Sequence, residues 1–339
     1  MRNNYELRIT SYAFSYSTFH KTNFLCYNFL TGDFMKYGLI IPTLNAGKQF
    51  EKLLEQIQKQ TLPIKKLIVD SESNDGTAEL AEKFGFEVLK VQRKNFHHGA
   101  TRQMAVEHLL KNFSADVVIF LTQDVLLYDE KTLSELVKIF ETDSTVGISY
   151  GRQLPHTNAT NEAKFLRQFN YPEKSLLKSF EDRKKFGIKT AMNSNSFSAY
   201  KVDFLQRVGG FPKNVILCED MFVAAKMLTV GHKIFYNVNA KVFHSHNYSA
   251  IQEFKRYFDI GVFHNREKWI RETFGSAEGA GKKFVLMKLS ELWKKNPFEC
   301  FGAIFRDGAK FLGYRLGLLE NFLPKFFCRF CSMNKNFFR

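Results

Sequence analysis

The sequence predicts an α/β fold: a mostly parallel central sheet flanked by helices, followed by a helical C-terminal extension. Three observations carry this. From Tyr37 onward, short apolar runs alternate with helical patterns at the spacing of strand–helix units, the signature of a parallel sheet with right-handed crossovers. Val117–Leu121 is an unbroken aliphatic and aromatic run, as expected of a strand buried on both faces. The runs also end in small polar residues: IPTLNAG at 41–47, VDSESNDGT at 69–77 and TQD at 122–124. Open α/β sheets bind ligands at the carboxyl ends of their strands, which is where the Asp124 carboxylate would stand.

Taken in order, Gly38–Ile41 reads as the first strand, ending at Pro42. Gln49–Gln60 reads as a helix, because Phe50, Leu53, Leu54 and Ile57 fall on one face. Lys66–Val69 reads as the second strand, ending at Asp70, and Ser71–Gly76 as a loop. Thr77–Phe84 reads as a helix closed by Gly85. Glu87–Val91 reads as the third strand and Gly99–Asn112 as the third helix, with Met104, Ala105, His108 and Leu109 turned inward. After the Val117 strand come a helix over Leu133–Phe140 and a strand over Val146–Tyr150. Beyond Tyr150 the alternation loosens. Gly151–Lys189 reads as a polar insertion and Ala191–Ala199 as an Asn- and Ser-rich stretch. A short helix over Phe204–Val208, a turn at GGFP (209–212), a helix over Asp220–Thr229 and a strand over Lys233–Val238 follow. From Ile251 the chain reads as mostly helical and increasingly basic.

With 339 residues the chain can bury a large core as one big domain or two smaller ones. Its charge of +15 favours phosphate-bearing partners: nucleic acid, anionic lipid or phosphorylated substrates. Scattered lysines also read as a plain solvated surface. The five cysteines form no disulfide framework, and Cys328–Cys331 is a lone CxxC without a second pair, so free thiols in a reducing cytosol fit best. No apolar run reaches the length of a membrane span, and no secretory signal is recognisable. Residues 1–34 lack any period, whereas Met35 opens an ordinary first strand. Three regions are expected: a poorly ordered extension over 1–34, an α/β domain over 35–275 and a basic helical region over 276–339. A membrane-contacting arm is the alternative for 1–34.

Several residues can carry chemistry, each with a plainer alternative. Asp70 suits a base or ribose contact, while Asp75 and Thr77 suit a turn and a helix cap equally well. Asp124 has no neighbouring carboxylate, so a cation there would need substrate phosphates and water as further ligands. Glu219 and Asp220 open a helix, where the dipole alone favours acids. As function, a carboxylate there can take a proton from a hydroxyl nucleophile. His244 and His246 share a face if their segment is extended, which suits a metal or a phosphate.

In combination these motifs resemble family 2 glycosyltransferases of the GT-A fold. NFHHGATR (95–102), FLTQD (120–124), YGRQLP (150–155), FNYP (169–172), GIKTAMNSNSFSAY (187–200) and RYFDIGVFHNRE (256–267) are similar to its bacterial rhamnosyltransferase branch. The resemblance covers roughly 36–275. It implies an inverting enzyme that moves a sugar, L-rhamnose from dTDP-L-rhamnose, onto a surface-polysaccharide acceptor of O-antigen or capsule type. It implies Asp220 as catalytic base and a divalent cation, Mg²⁺ or Mn²⁺, held by Asp124 with His244 or His246. Thr122 stands where the DxD motif has its first acid, and Ser71 where a DD pair has its second. Donor contacts are expected from Pro42, Thr43, Asn45, Asp70, Ser71, Gly99, Arg102, Gln123 and Asp124, and acceptor contacts from Asn193, Asn195 and Glu219.

Residues 282–339 hold twelve Lys and Arg against four Asp and Glu, with apolar residues three and four apart between them. That is the pattern of basic amphipathic helices. Phe284–Trp293 is expected to pack on the catalytic domain. Phe301–Phe330 is expected to bind an anionic membrane surface, placing a cytoplasmic enzyme at the inner face beside a lipid-linked acceptor; a cut near Asn296 should then spare part of the catalysis. Two rival readings remain: a nucleic-acid binder driven by charge, which lacks any recognised module, so no nucleic-acid partner is expected, and an inactive glycan-binding protein, which Thr122 leaves open.

Overall fold

A computed structural model describes residues 35–275 and 278–338; the extension expected over 1–34 lies outside the described residues. Among the described residues, nine strands form one sheet. They are β1 (Tyr37–Thr43), β2 (Ile64–Asp70), β3 (Glu87–Lys90), β4 (Val117–Leu121), β5 (Leu126–Leu127), β6 (Val146–Leu154), β7 (Leu176–Lys178), β8 (Phe197–Lys201) and β9 (Lys233–Phe243). Their order is β3-β2-β1-β4-β8-β6-β9-β5, with β7 also paired to β9.

The first half of the sheet is parallel. Thr43 pairs with Asp70 across β1 and β2, and Ile40 with Phe120 across β1 and β4. β1 thus has β2 on one side and β4 on the other, so connections leave in opposite directions. A crevice opens at such a switch point, outside the carboxyl ends of the strands. Helices α1 (Gln49–Gln58), α2 (Thr77–Lys83) and α3 (His98–Asn112) connect these strands close to the expected bounds. Phe50, Leu53, Leu54 and Ile57 are buried on α1, as their spacing predicts. On α3 the inward face is Thr101, Arg102, Ala105, Val106 and Leu109. His108 instead lies part-exposed beside Glu87.

The second half departs from the expected pattern. The stretch read as merely Asn- and Ser-rich contains β8, antiparallel to β4 with Leu121 opposite Phe197. Every residue from Phe197 to Tyr200 is buried. Ser198 is tolerated there because its hydroxyl donates to Asn195 Oδ1 at 2.9 Å. The stretch read as a polar insertion holds the end of β6, a helix α4 (Asn161–Asn170) and β7. Beneath the crevice, the rings of Phe120, Tyr200 and Phe211 meet edge to face at 5.2–5.8 Å between centroids. This cluster ties β4, β8 and the GGFP turn together.

After α5 (Glu219–Thr229) and β9 come α6 (Ala250–Arg266), α7 (Glu278–Lys295), α8 (Phe298–Leu318) and α9 (Lys325–Cys331). α8 lies along α6 at backbone contact. A Cβ at Gly313 would stand 2.3 Å from the Phe254 carbonyl oxygen, and one at Gly317 2.1 Å from that of Phe258. The contacts advance together along both helices, so they run in the same direction. Lys288, fully buried on α7, donates to Glu162 of α4 at 2.8 Å and to Asp307 of α8 at 2.6 Å. Lys310 of α8 lies 3.3 Å from Glu253 of α6. Phe284 packs on Phe165 and Phe169 of α4, as expected, but Trp293 is exposed. Cys328 and Cys331 are free thiols buried in the main core. A cut near Asn296 would therefore strip core residues and unpair buried charges, which corrects the expectation of a separable C-terminal region.

Candidate active site

A cleft of ≈ 1060 Å³ opens at the β1/β4 switch point. Its floor is built by the chain ends that the sequence marks. Gln123 does not reach into it freely: its amide donates to the Leu44 carbonyl at 3.1 Å and accepts from the Leu44 N–H at 2.8 Å. It therefore clamps the end of β4 to the end of β1 and sets the position of the next residue, Asp124.

Asp124 meets both histidines from the end of β9. Its Oδ2 lies 3.4 Å from His244 Nε2 and 3.6 Å from His246 Nε2. One ligand atom from each of the three residues falls within 4.8 Å of the others, the arrangement a single cation needs. Burial alone would raise the Asp124 carboxyl, but the imidazoles, His244 above all, hold it well below the usual carboxylate range. His244 is lowered by burial, and His246 is pushed down to about 4 by burial and by His244. Both rings are thus neutral near pH 7 and keep a lone pair for a metal. The Gln153 Oε1 at 2.8 Å from His244 Nδ1 fixes the tautomer that turns Nε2 toward Asp124. The donor set fits a divalent ion.

Glu219 is buried and Asp220 half-buried, and their surroundings push them apart. Glu219 lies 3.2 Å from Arg102 and accepts from Asn195 Nδ2 at 2.9 Å. Burial opposes its ionisation, yet Arg102 and His98 outweigh that and hold it low. Among the described residues Asp220 accepts only backbone N–H groups, from Met221 at 2.7 Å and Asn195 at 3.2 Å. Burial and the Glu219 charge raise it to about 7. A carboxylate poised there can accept a proton near neutral pH. The turn that presents it is strained: Cys218, a non-glycine residue, sits at φ 60°.

The structure sorts the other expected contacts. Pro42, Thr43, Ser71, Arg102, Asn193 and Asn195 line the cleft. Ser71 Oγ and Asn193 Oδ1 are buried without a hydrogen-bond partner among the described residues. Asp70 is occupied otherwise, accepting from Thr43 Oγ1 at 2.9 Å, Ser73 N at 2.9 Å and Ser73 Oγ at 2.6 Å. Asn45 stitches two loops, its Oδ1 accepting from Asn74 N at 2.9 Å. Gly99 is a packing glycine, since a Cβ there would lie 1.9 Å from the Pro212 carbonyl oxygen. Asn195 and Glu219, expected at the acceptor, belong to a buried chain: Asn193 donates to Tyr200 at 2.6 Å, Tyr200 to Asn195 at 2.6 Å, and Asn195 to Glu219. Arg102, expected at phosphate, closes that chain. Sequence reasoning missed Gln153, Arg167, Tyr248 and Arg256 in the wall, although YGRQLP and RYFDIGVFHNRE contain two of them.

Comparison with known proteins places the chain in a family. The model of glycosyl transferase family 2 matches residues 39–209. The O-antigen chain rhamnosyltransferase RfbN of Salmonella typhimurium is 45% identical over 305 residues, 89% of this chain and 96% of its own. The O-antigen chain rhamnosyltransferase WbaN of Salmonella anatum is 43% identical over 303 residues, 89% of this chain and 95% of its own. Among solved structures, the mannosyltransferase PcManGT from Pyrobaculum calidifontis, in complex with GDP-Man and Mn²⁺, superposes over 93% of this chain and 98% of its own, with TM-score 0.56 and 16% identity. That likeness speaks for the GT-A fold alone. With its fold, its cleft and two relatives matched over most of their length, the chain belongs to glycosyl transferase family 2, in the rhamnosyltransferase-like branch.

Proposed function

We propose that this glycosyltransferase moves L-rhamnose from dTDP-L-rhamnose to a bacterial surface-polysaccharide acceptor of O-antigen type, with inversion at the anomeric carbon. The observation that carries the reaction is Asp220, raised to about 7 in a cleft it shares with the Asp124–His244–His246 triad. The similarity to the two O-antigen chain rhamnosyltransferases supports the sugar and the acceptor.

In this reaction an acceptor hydroxyl attacks the anomeric carbon, its proton passes to Asp220, and the bond to the nucleoside diphosphate breaks. The alcohol is a weak nucleophile until Asp220 takes that proton. Asp124, His244 and His246 would hold a divalent cation, which when bound would offset charge developing on the leaving diphosphate. Glu219 stays ionised against Arg102 and thereby keeps Asp220 basic. The two histidines stand in for the missing first acid of the DxD motif, which argues against an inactive glycan binder. Membership of this family also gives no support to the nucleic-acid reading.

The acceptor reading extends to a lipid-linked glycan at the cytoplasmic face of the membrane. Among the described residues no helix is long and apolar enough to cross a membrane. One face of α8 is nevertheless apolar and bare: Phe298, Phe301, Phe305, Phe311 and Leu312 are exposed, Phe298 by 83%. Phe322, Phe326 and Phe330 continue it. Lys294, Lys295, Arg315, Lys325 and Arg329, near it in sequence, are exposed too, which suits an anionic bilayer surface.

The donor is tested by thermal protection, because a ligand that binds only the native state raises the melting midpoint. With Mn²⁺ present, dTDP-L-rhamnose should raise it more than UDP-glucose or GDP-mannose. A larger shift with either of the latter overturns the donor assignment.

A further inference from the structure

The part of the cleft wall that the reaction leaves unexplained is the end of the chain. After α9 the backbone turns back, and Met333, Asn334, Lys335, Asn336 and Phe337 all line the cleft. Asn336 also lines an adjoining hollow with Glu72, Gln92, Arg93 and Lys94, which follow the carboxyl ends of β2 and β3. That edge of an open α/β sheet is where a nucleotide lies. Ser71 Oγ waits there without a partner.

The tail is fixed in place from several sides. Asp259, fully buried on α6, accepts from Met333 N at 3.1 Å, Asn334 N at 3.2 Å and Asn334 Nδ2 at 2.9 Å. Asn334 Oδ1 lies 3.3 Å from His98 Nε2 at the start of α3. The Arg266 guanidinium lies over the Phe337 ring at 4.7 Å, and Phe338 is buried against Phe258. Asn334, Phe337 and Phe338 do this anchoring. The side chains of Lys335 and Asn336 make no hydrogen bond or ion pair with a described residue. A carboxamide offers both donors and an acceptor, and an ammonium three donors, the chemistry that suits a pyrimidine edge and a phosphate.

We infer that the C-terminal tail Met333–Phe337 is the outer wall of the donor-nucleotide subsite, with Asn336 and Lys335 as further binding residues for the nucleoside diphosphate. This rests on the donor reading above. It makes nucleotide affinity depend on a segment about 265 residues away in sequence from Ser71 and held by α6.

The test is a full-length chain carrying Lys335→Ala with Asn336→Ala. Both side chains lie at the surface of the cleft, so the fold is not at risk, and the melting midpoint without ligand checks that. Calorimetric titration of dTDP and UDP with Mn²⁺ compares this variant with wild type and with Asp124→Asn. Loss of one or two net hydrogen bonds predicts affinity weaker by about tenfold in the tail variant, with the acceptor KM unchanged. Backbone amide exchange over 333–337 should also slow when dTDP binds wild type. Wild-type nucleotide affinity in the tail variant, while Asp124→Asn binds more weakly, overturns the tail and leaves the donor site standing. Failure of wild type to bind either nucleotide overturns the donor reading and the tail with it.

Discussion

Replacing Asp220 by Asn keeps the shape of the side chain and removes its basicity. The structure sets the size of the loss. Among the described residues Asp220 accepts from two backbone N–H groups and pairs with no cation, which suits the proposed proton transfer rather than charge pairing. Removing a general base costs about 10²–10⁴-fold in rate, or ~3–5 kcal/mol of transition-state stabilisation. The assay is release of nucleoside diphosphate from dTDP-L-rhamnose in the presence of acceptor, with donor affinity measured separately. Donor affinity should stay near wild type, because the metal triad and the strand ends are untouched. In wild type, kcat/KM should climb with pH and level off above about 7, where Asp220 is ionised. The same shift makes a stability claim. Asp220 holds its proton more tightly folded than unfolded, so both states are protonated below the unfolded value near 4 and no penalty exists there. As pH rises through the folded value, burying the ionised group costs stability. The melting midpoint of Asp220→Asn should therefore gain on wild type between pH 5 and pH 8, whatever its offset at one pH. A variant that keeps more than a tenth of wild-type kcat would refute the base assignment and direct attention to Glu219.

Three further outcomes follow from the same geometry. Asp124→Asn and His244→Ala should each weaken Mn²⁺ binding and make donor binding insensitive to added metal; metal titrations matching wild type would dissolve the triad as a cation site. Gly317→Leu must push α8 off the Phe258 carbonyl, a steric cost of about 1–3 kcal/mol or more, so its melting midpoint should fall and an unchanged midpoint would contradict the close helix pairing. Phe301→Ser with Phe305→Ser and Phe326→Ser should abolish salt-sensitive sedimentation with anionic vesicles while leaving transfer to a water-soluble acceptor intact; equal sedimentation of this variant and wild type, on anionic and neutral vesicles alike, would remove the membrane surface from the proposal.

The sequence alone determined the parallel half of the fold, because the signals there are local. Phe50, Leu53, Leu54 and Ile57 repeat at helical spacing, Val117–Leu121 is apolar without a break, and Gly85 ends a helix within its own turn. That Asp124, Asp220, His244 and His246 stand at strand and helix ends was also legible, and the structure brings Asp124, His244 and His246 together. Other assignments needed the tertiary structure. β8 was hidden because its polar neighbours look like a loop until Tyr200 and Glu219 give Asn195 its partners. Arg102 looks like a phosphate ligand until Glu219, 117 residues away in sequence, is found at 3.2 Å. Gly99 and Asn45 read as donor contacts until packing and loop stitching claim them. The C-terminal tail has no period at all, and its place in the cleft depends on the Asp259 carboxylate 74 residues upstream of Met333. Periodicity reports which face of an element is buried, but not against what. The partner of a buried charge is chosen by the cost of leaving it unpaired, and only the folded chain brings the candidates within reach.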